Sequence, residues 1–138
     1  MSTFRLNIMA STRAFYSGEA EVVTVPTTEG SIGILAHHSN TIMAIVPGTL
    51  EFVAAGEGTD GSRTLCAVSY GLLKVENNEV DILVETLETP DEIDVNRALK
   101  AEAKAKEALL QKRSHKEYMQ ANVDLARAMN RLKVARTK

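Results

Sequence analysis

No glycine and no proline occurs after Pro90. All eight glycines lie between Gly18 and Gly71, and the three prolines are Pro26, Pro47 and Pro90. Glycine admits left-handed backbone, and proline fixes φ and lacks an N–H donor, so these two residues interrupt regular structure most often. Their absence predicts long helices after Pro90. Their density before it predicts many short elements joined by turns. The sequence therefore divides into a domain over residues 1–89 and a second over 90–138.

The first part reads as strands. "FRLNI" alternates Phe4, Leu6 and Ile8, as a strand with one buried face does. "EVVTV" is β-branched and stops at Pro26; "TIMAIV" stops at Pro47-Gly48, and "TLEFVA" follows. "RTLCAVSY" precedes Gly71. "LLKVE" and "EVDILVE" flank Asn77-Asn78, a two-residue hairpin turn, because asparagine tolerates positive φ. A further turn is expected at "GEGTDG", residues 56–61. Many short strands with no helix between them predict an antiparallel β-sandwich.

The second part has helical spacing. Ala98, Ala101, Ala105 and Ala108 recur at intervals of three and four, as do Tyr118, Ala121, Leu125, Ala128, Leu132 and Ala135. These are seams along which two helices pack. The break falls around "KRSHK", with Ser114 as a cap for the second helix, and a short connection implies an antiparallel hairpin. Alanine buries little surface, so at about 25 cal/mol per Å² this hairpin is weakly held by its seam. The start carries its own signature: Thr89 as N-cap, Pro90 at the first helical position and Glu92 closing a T-x-x-E box.

Charge follows the same division. Residues 1–90 hold 4 bases and 11 acids, a net of -7, and residues 91–138 hold 12 bases and 7 acids, a net of +5, which together give the formal -2. An acidic half and a basic half are expected to meet different partners. No apolar run is long enough to span a membrane. "MSTFRLNIMASTR" lacks the apolar core of a signal peptide. The lone Cys66 precludes an internal disulfide and fits a reducing cytosol; within "TLCAV" it reads as a core residue.

Catalytic constellations are not apparent. His37 and His38 are adjacent and, in an extended segment, point to opposite faces; His115 falls at the helix turn, so no metal site is expected. "GSIGIL" lacks the lysine and following helix of a phosphate loop. Glu76, Glu79 and Asp81 read as a solvated face. The chain is read as non-catalytic. An alternative reading, a nucleic-acid-binding module built on the basic hairpin, is weakened by a single tail aromatic, Tyr118, and by interleaved acids.

Four stretches resemble the ε subunit of bacterial F-type ATP synthase. They are "RAFYSGEAEVVTVPTTEGSIGILAHHSNTIMAIVPGTLEF", "CAVSYGLLKVENNEVDILVETLE", "EIDVNRA" and "RAMNRLKVA", in the family's order and spacing over nearly the whole chain. The chain departs from the pattern at Ser31, where the family usually has an acid, at Ala36–Asn40, and at Tyr70. The resemblance implies a β-sandwich followed by a two-helix hairpin. It implies binding to the central-shaft γ subunit and to the c-subunit ring, with Ser31 and His38 in the region facing that ring. The helices would reach the α and β subunits and restrain ATP hydrolysis. It also implies a peripheral place at the cytoplasmic face of the bacterial cell membrane, in a proton-translocating complex, with no required cofactor, no nucleic acid and no direct membrane insertion.

Asp94 and Arg97 are surplus to the capping box. An ordinary i,i+3 pair accounts for them at a few tenths of a kcal/mol. A hairpin turning near Ser114 would also set Arg97 level with Arg131, with Arg127 one turn away and Lys100 and Lys104 extending the basic stripe. Such a cluster suits a triphosphate, with Glu88 and Asp94 accepting hydrogen bonds from an adenine amino group or ribose. By resemblance to ATP-binding relatives, Ile93, Asp94, Arg97, Ala98, Arg127 and Arg131 match the ligand pattern, and Lys104 falls where those relatives carry an arginine. ATP is thus expected as a regulatory ligand rather than a substrate.

Overall fold

A computed structural model describes residues 2–55, 63–110 and 115–137, with the side chains of 115–117 excepted. The turn expected at residues 56–61 and the cap expected at Ser114 lie outside the described residues. The chain divides into two compact units, Met1–Leu87 and Glu88–Lys138.

The first unit is a β-sandwich. Its strands are β1 (Phe4–Ala10), β2 (Arg13–Thr27), β3 (Gly30–Leu35), β4 (Thr41–Ile45), β5 (Gly48–Ala54), β6 (Thr64–Val68), β7 (Gly71–Glu76) and β8 (Glu79–Val84), with a short β9 (Leu87–Glu88) after them. The order is β4-β7-β8-β1-β2-β5-β6-β9, and β3 pairs with β2. The alternation seen in the sequence is the burial pattern. Phe4, Leu6, Ile8 and Ala10 point inward from β1, and Val80, Ile82 and Val84 do so from β8. Val23, Leu50, Phe52 and Cys66 join the same core. One core shared by strands from both ends of the order requires the two halves to face each other.

Strand β2 makes that possible. It runs through Pro26 rather than ending there, and it is 15 residues long. Its first half pairs with β1, and its second half pairs with both β3 and β5, with a register shift between Ala20 and Val22. A shift of that kind bends a strand and lets it serve two layers. Pro26 sits opposite Ser31, and its carbonyl accepts a hydrogen bond from Val46 N at 3.1 Å. The β1–β8 pairing is parallel, in register from Arg5–Glu79 to Ala10–Val84.

The Asn77-Asn78 turn has φ of 51° and 64° at its two residues, as a two-residue hairpin requires. The turn also braces the segment after β3, through the Asn78 side chain and the Asn77 backbone N–H. His37 N donates to Asn78 Oδ1 at 2.7 Å, and Asn77 N donates to Asn40 Oδ1 at 2.9 Å.

The second unit begins with a 3₁₀ turn, Pro90–Glu92, followed by α1 (Val95–Leu110) and α2 (His115–Ala135). The two helices pack against each other. Of the alanine seams, Ala98, Ala105, Ala121, Ala128 and Ala135 are buried, along with Leu132. Antiparallel packing from ends at Leu110 and His115 sets Ala98 at about the level of Ala128, and Ala105 at about that of Ala121. Tyr118 does not join the seam; it is half-exposed.

Candidate functional site

The capping box is present but does not start a long helix. Glu92 Oε1 accepts from Thr89 N at 3.1 Å and from Thr89 Oγ1 at 2.8 Å, which closes only the single 3₁₀ turn. Ile93 then leaves the helical region, with φ of -78° and ψ of 123°, and its side chain is buried. Asp94 starts α1 instead. Its Oδ1 accepts from Arg97 N at 3.1 Å, and its carbonyl accepts from Ala98 N at 3.0 Å.

This corrects the sequence reading of Asp94 on two points. The residue is not surplus to the helix start, because it is the N-cap. Its carboxylate meets the backbone N–H of Arg97 rather than the guanidinium. Aspartate ranks among the best N-caps, and its charge also complements the positive end of the helix. Asp94→Ala is expected to destabilise the second unit by about 1 kcal/mol, and Asp94→Asn to restore most of that loss. Thermal unfolding followed by helix circular dichroism distinguishes the two. Equal losses in both variants would assign the effect to charge alone.

The other expected ligand-binding residues spread along both helices. Arg97 and Lys104 are exposed on α1, and Ala98 is buried in the seam. Arg127 and Arg131 lie on α2 and are half-buried. Two of the set meet directly: Arg131 Nε donates to Glu88 Oε1 at 3.0 Å, across 43 residues of chain. The sequence reading placed phosphate on Arg131 and adenine on Glu88 and did not foresee this pair. No spacing rule connects residues that far apart. Antiparallel packing sets Arg97 at about the level of Ala128, between Arg127 and Arg131.

Ser31 and His38 are not brought together. Ser31 is exposed near the start of β3, and His38 lies beyond its end, with Nδ1 2.8 Å from Ser39 O. Four residues of strand between Ser31 and Leu35 already separate them by about 13 Å. The extended backbone expected at the two adjacent histidines is not found at His37. His37 has φ of 63° in the turn that follows β3. Among the described residues, no group of three or more His, Cys, Asp or Glu side chains is placed to hold a metal. Cys66 is fully buried, with Sγ 3.6 Å from Leu50 O. Glu76 and Glu79 are exposed as expected, but Asp81 is half-buried and accepts from Asn7 Nδ2 at 2.8 Å.

The sandwich carries a surface that the sequence reading missed. Ala44, Leu72, Leu83 and Met9 are in-register neighbours across β4, β7, β8 and β1, and all four are exposed. Leu72 and Leu83 are each 55% exposed and Met9 is 50% exposed. Outward apolar residues are ordinary when scattered; here they form a contiguous row across four strands, a candidate recognition surface. The row beside it is polar, Lys74, Asp81, Asn7 and Ser17, tied together by side-chain bonds of 2.8 Å from Asn7 to Asp81 and from Ser17 to Asn7. Alternation predicted which face of each strand is inward. It does not show which outward positions are neighbours, because that depends on the register.

Comparison with known proteins covers both units. Residues 3–90 match the family described as ATP synthase, Delta/Epsilon chain, beta-sandwich domain, and residues 91–136 match ATP synthase, Delta/Epsilon chain, long alpha-helix domain. The ATP synthase epsilon chain of Ruminiclostridium cellulolyticum is 41% identical over 132 residues, covering 96% of this chain and 95% of that protein. The epsilon chain of Ruminococcus albus is 36% identical with full coverage of both, 100% and 100%. Among solved structures, a chain of the Euglena gracilis mitochondrial ATP synthase OSCP/F1/c-ring assembly superposes with a TM-score of 0.82 at 25% identity, covering 98% of this chain and 82% of that one. A chain of the Tetrahymena thermophila central stalk and c-ring shares the fold, with a TM-score of 0.64 at 16% identity over 95% of each chain.

Proposed function

The chain belongs to the ATP synthase delta/epsilon chain family, and from that premise we propose that it is a non-catalytic subunit of the central stalk, with coupling carried by the sandwich and regulation by the helices. The observation that supports this reading best is the continuity of the family match through both units, so that neither the sandwich nor the helical tail is missing. The sandwich binds γ and rests on the c-subunit ring, transmitting the rotation that proton flow drives. The exposed row of Met9, Leu83, Leu72 and Ala44 suits the apolar surface of such a shaft. The +5 tail reaches the α and β subunits and restrains ATP hydrolysis when it leaves its hairpin. No helix among the described residues is long and apolar enough to cross a membrane. A peripheral position at the cytoplasmic face of the cell membrane follows from this role.

ATP is the regulatory ligand in this reading. Arg97, Arg127, Arg131 and Lys104 supply positive charge along two packed helices, which a bound polyanion would neutralise through charge-assisted hydrogen bonds. Lysine at position 104 holds phosphate as a point charge, without the bidentate fork of arginine. Bound nucleotide favours the paired helices, because only that state assembles groups from both. Isothermal calorimetry on the isolated chain at millimolar ATP is expected to give saturable heat. Arg97→Ala and Arg131→Ala are each expected to weaken binding by about tenfold or more, the range for a lost charge-assisted hydrogen bond. An absence of saturable heat, or equal affinity in both variants and the native chain, would remove ATP from the account.

A further inference from the structure

We infer that the Glu88–Arg131 ion pair is a latch that holds α2 against the start of its own unit when no ligand is present. Glu88 precedes the 3₁₀ turn, and Arg131 lies in the last turns of α2, so a single contact ties the entry of the unit to its far end. The bond is 3.0 Å long, with side chains 28% exposed on the Glu88 side and 39% on the Arg131 side. Partial burial removes some of the screening that makes fully exposed pairs negligible.

Three features make this pair matter more than its strength alone suggests. The seam beside it is largely alanine, which buries little apolar area, so a polar tie is a larger share of what holds the helices together. Ile93 is in extended backbone between the 3₁₀ turn and α1, so the entry segment is not continuous with the helix and positions α2 only through contacts. The 3₁₀ turn itself touches α2. Withdrawal of α2 from the entry segment must break the Glu88–Arg131 bond, so the unbroken bond biases the equilibrium toward the paired hairpin. The regulatory meaning of the latch rests on the proposed inhibitory role of the tail; the latch itself does not.

Spin labels on Lys100 and Asp124, both exposed and on facing helices, measure the separation in the full isolated chain without nucleotide. Buried Cys66 stays unlabelled. Glu88→Gln and Arg131→Gln are each expected to raise the separated population roughly two- to fivefold, the scale of a partly screened pair. The exchange of Glu88→Arg with Arg131→Glu is expected to return it toward the native value. Added salt at about 1 M is expected to open the native chain and to leave Glu88→Gln unchanged. An unaltered distance distribution in both single variants, or additive effects in the exchanged chain, would overturn the latch. Because the readout needs neither nucleotide nor the assembled enzyme, it stands apart from failure of the inhibitory reading. That failure would appear as unchanged hydrolysis after tail removal.

Discussion

Removal of residues 91–138 is expected to raise ATP hydrolysis by the assembled enzyme about fivefold or more, while leaving ATP synthesis largely intact. The magnitude is the scale of an allosteric coupling of roughly 1–3 kcal/mol. The asymmetry comes from the division of the chain. Among the described residues, the core cluster from Phe4 to Leu87 lies wholly in the first unit, so the deletion leaves the proposed coupling element whole. The element removed is a hairpin whose buried seam is mostly Ala98, Ala105, Ala121, Ala128 and Ala135. An element held by so little apolar area suits the proposed regulator, which moves between two states of similar energy. Hydrolysis and synthesis are measured on the same membrane preparation, under conditions in which the intact enzyme is inhibited. Hydrolysis that stays unchanged contradicts the regulatory role, and a parallel loss of synthesis would place coupling in the tail.

The second large effect is expected at Gly71. It begins β7 opposite both Ile45 and Val84. A Cβ there would run into the Leu83 carbonyl oxygen and lie 2.7 Å from Val84 Cγ1 and 2.8 Å from Val84 Cα. Two of the three obstacles are backbone atoms of the paired strand, which cannot give way without moving β8. Gly71→Ala is expected to cost about 3 kcal/mol, the upper part of the overpacking range. For a unit of this size the melting temperature should fall by roughly 10–20 °C. Gly33→Ala is the control. Its Cβ would meet only Thr24 Oγ1 at 3.7 Å, an ordinary contact, so the change should stay within about 0.5 kcal/mol. Calorimetry of both variants checks the contrast, and equal melting temperatures would remove the close-approach explanation.

What was legible in the sequence was what short-range chemistry dictates. The Phe4-Leu6-Ile8 alternation, the positive-φ Asn77-Asn78 turn and the alanine spacing after Pro90 depend on neighbours within a few residues; the first two are found as read, and the seam is buried at Ala98, Ala105, Ala121, Ala128, Leu132 and Ala135 but not at Tyr118. Features decided across long separations were not legible. β1 pairs with β8 in parallel, a contact between the first and last long strands of the sandwich that no local signal encodes. β2 continues through Pro26, because the register shift at Ala20 and Val22 had already bent it toward its second set of partners. At the start of the tail, two capping signals compete within six residues. The T-x-x-E box at Thr89 is the more recognisable pattern, yet it closes only one 3₁₀ turn, and extended Ile93 hands the true helix start to Asp94. The Glu88–Arg131 bond and the outward row of Ala44, Leu72, Leu83 and Met9 appear only once register and helix pairing are known.

Retention of γ by residues 1–90 alone decides whether the sandwich couples while the tail regulates. The fragment and the full chain are each immobilised and titrated with γ, with strand circular dichroism of the fragment recorded alongside. The folded fragment is expected to hold γ with an affinity within about twofold of the full chain, since distant sites act independently. A fragment with intact strand signal that no longer holds γ would contradict it.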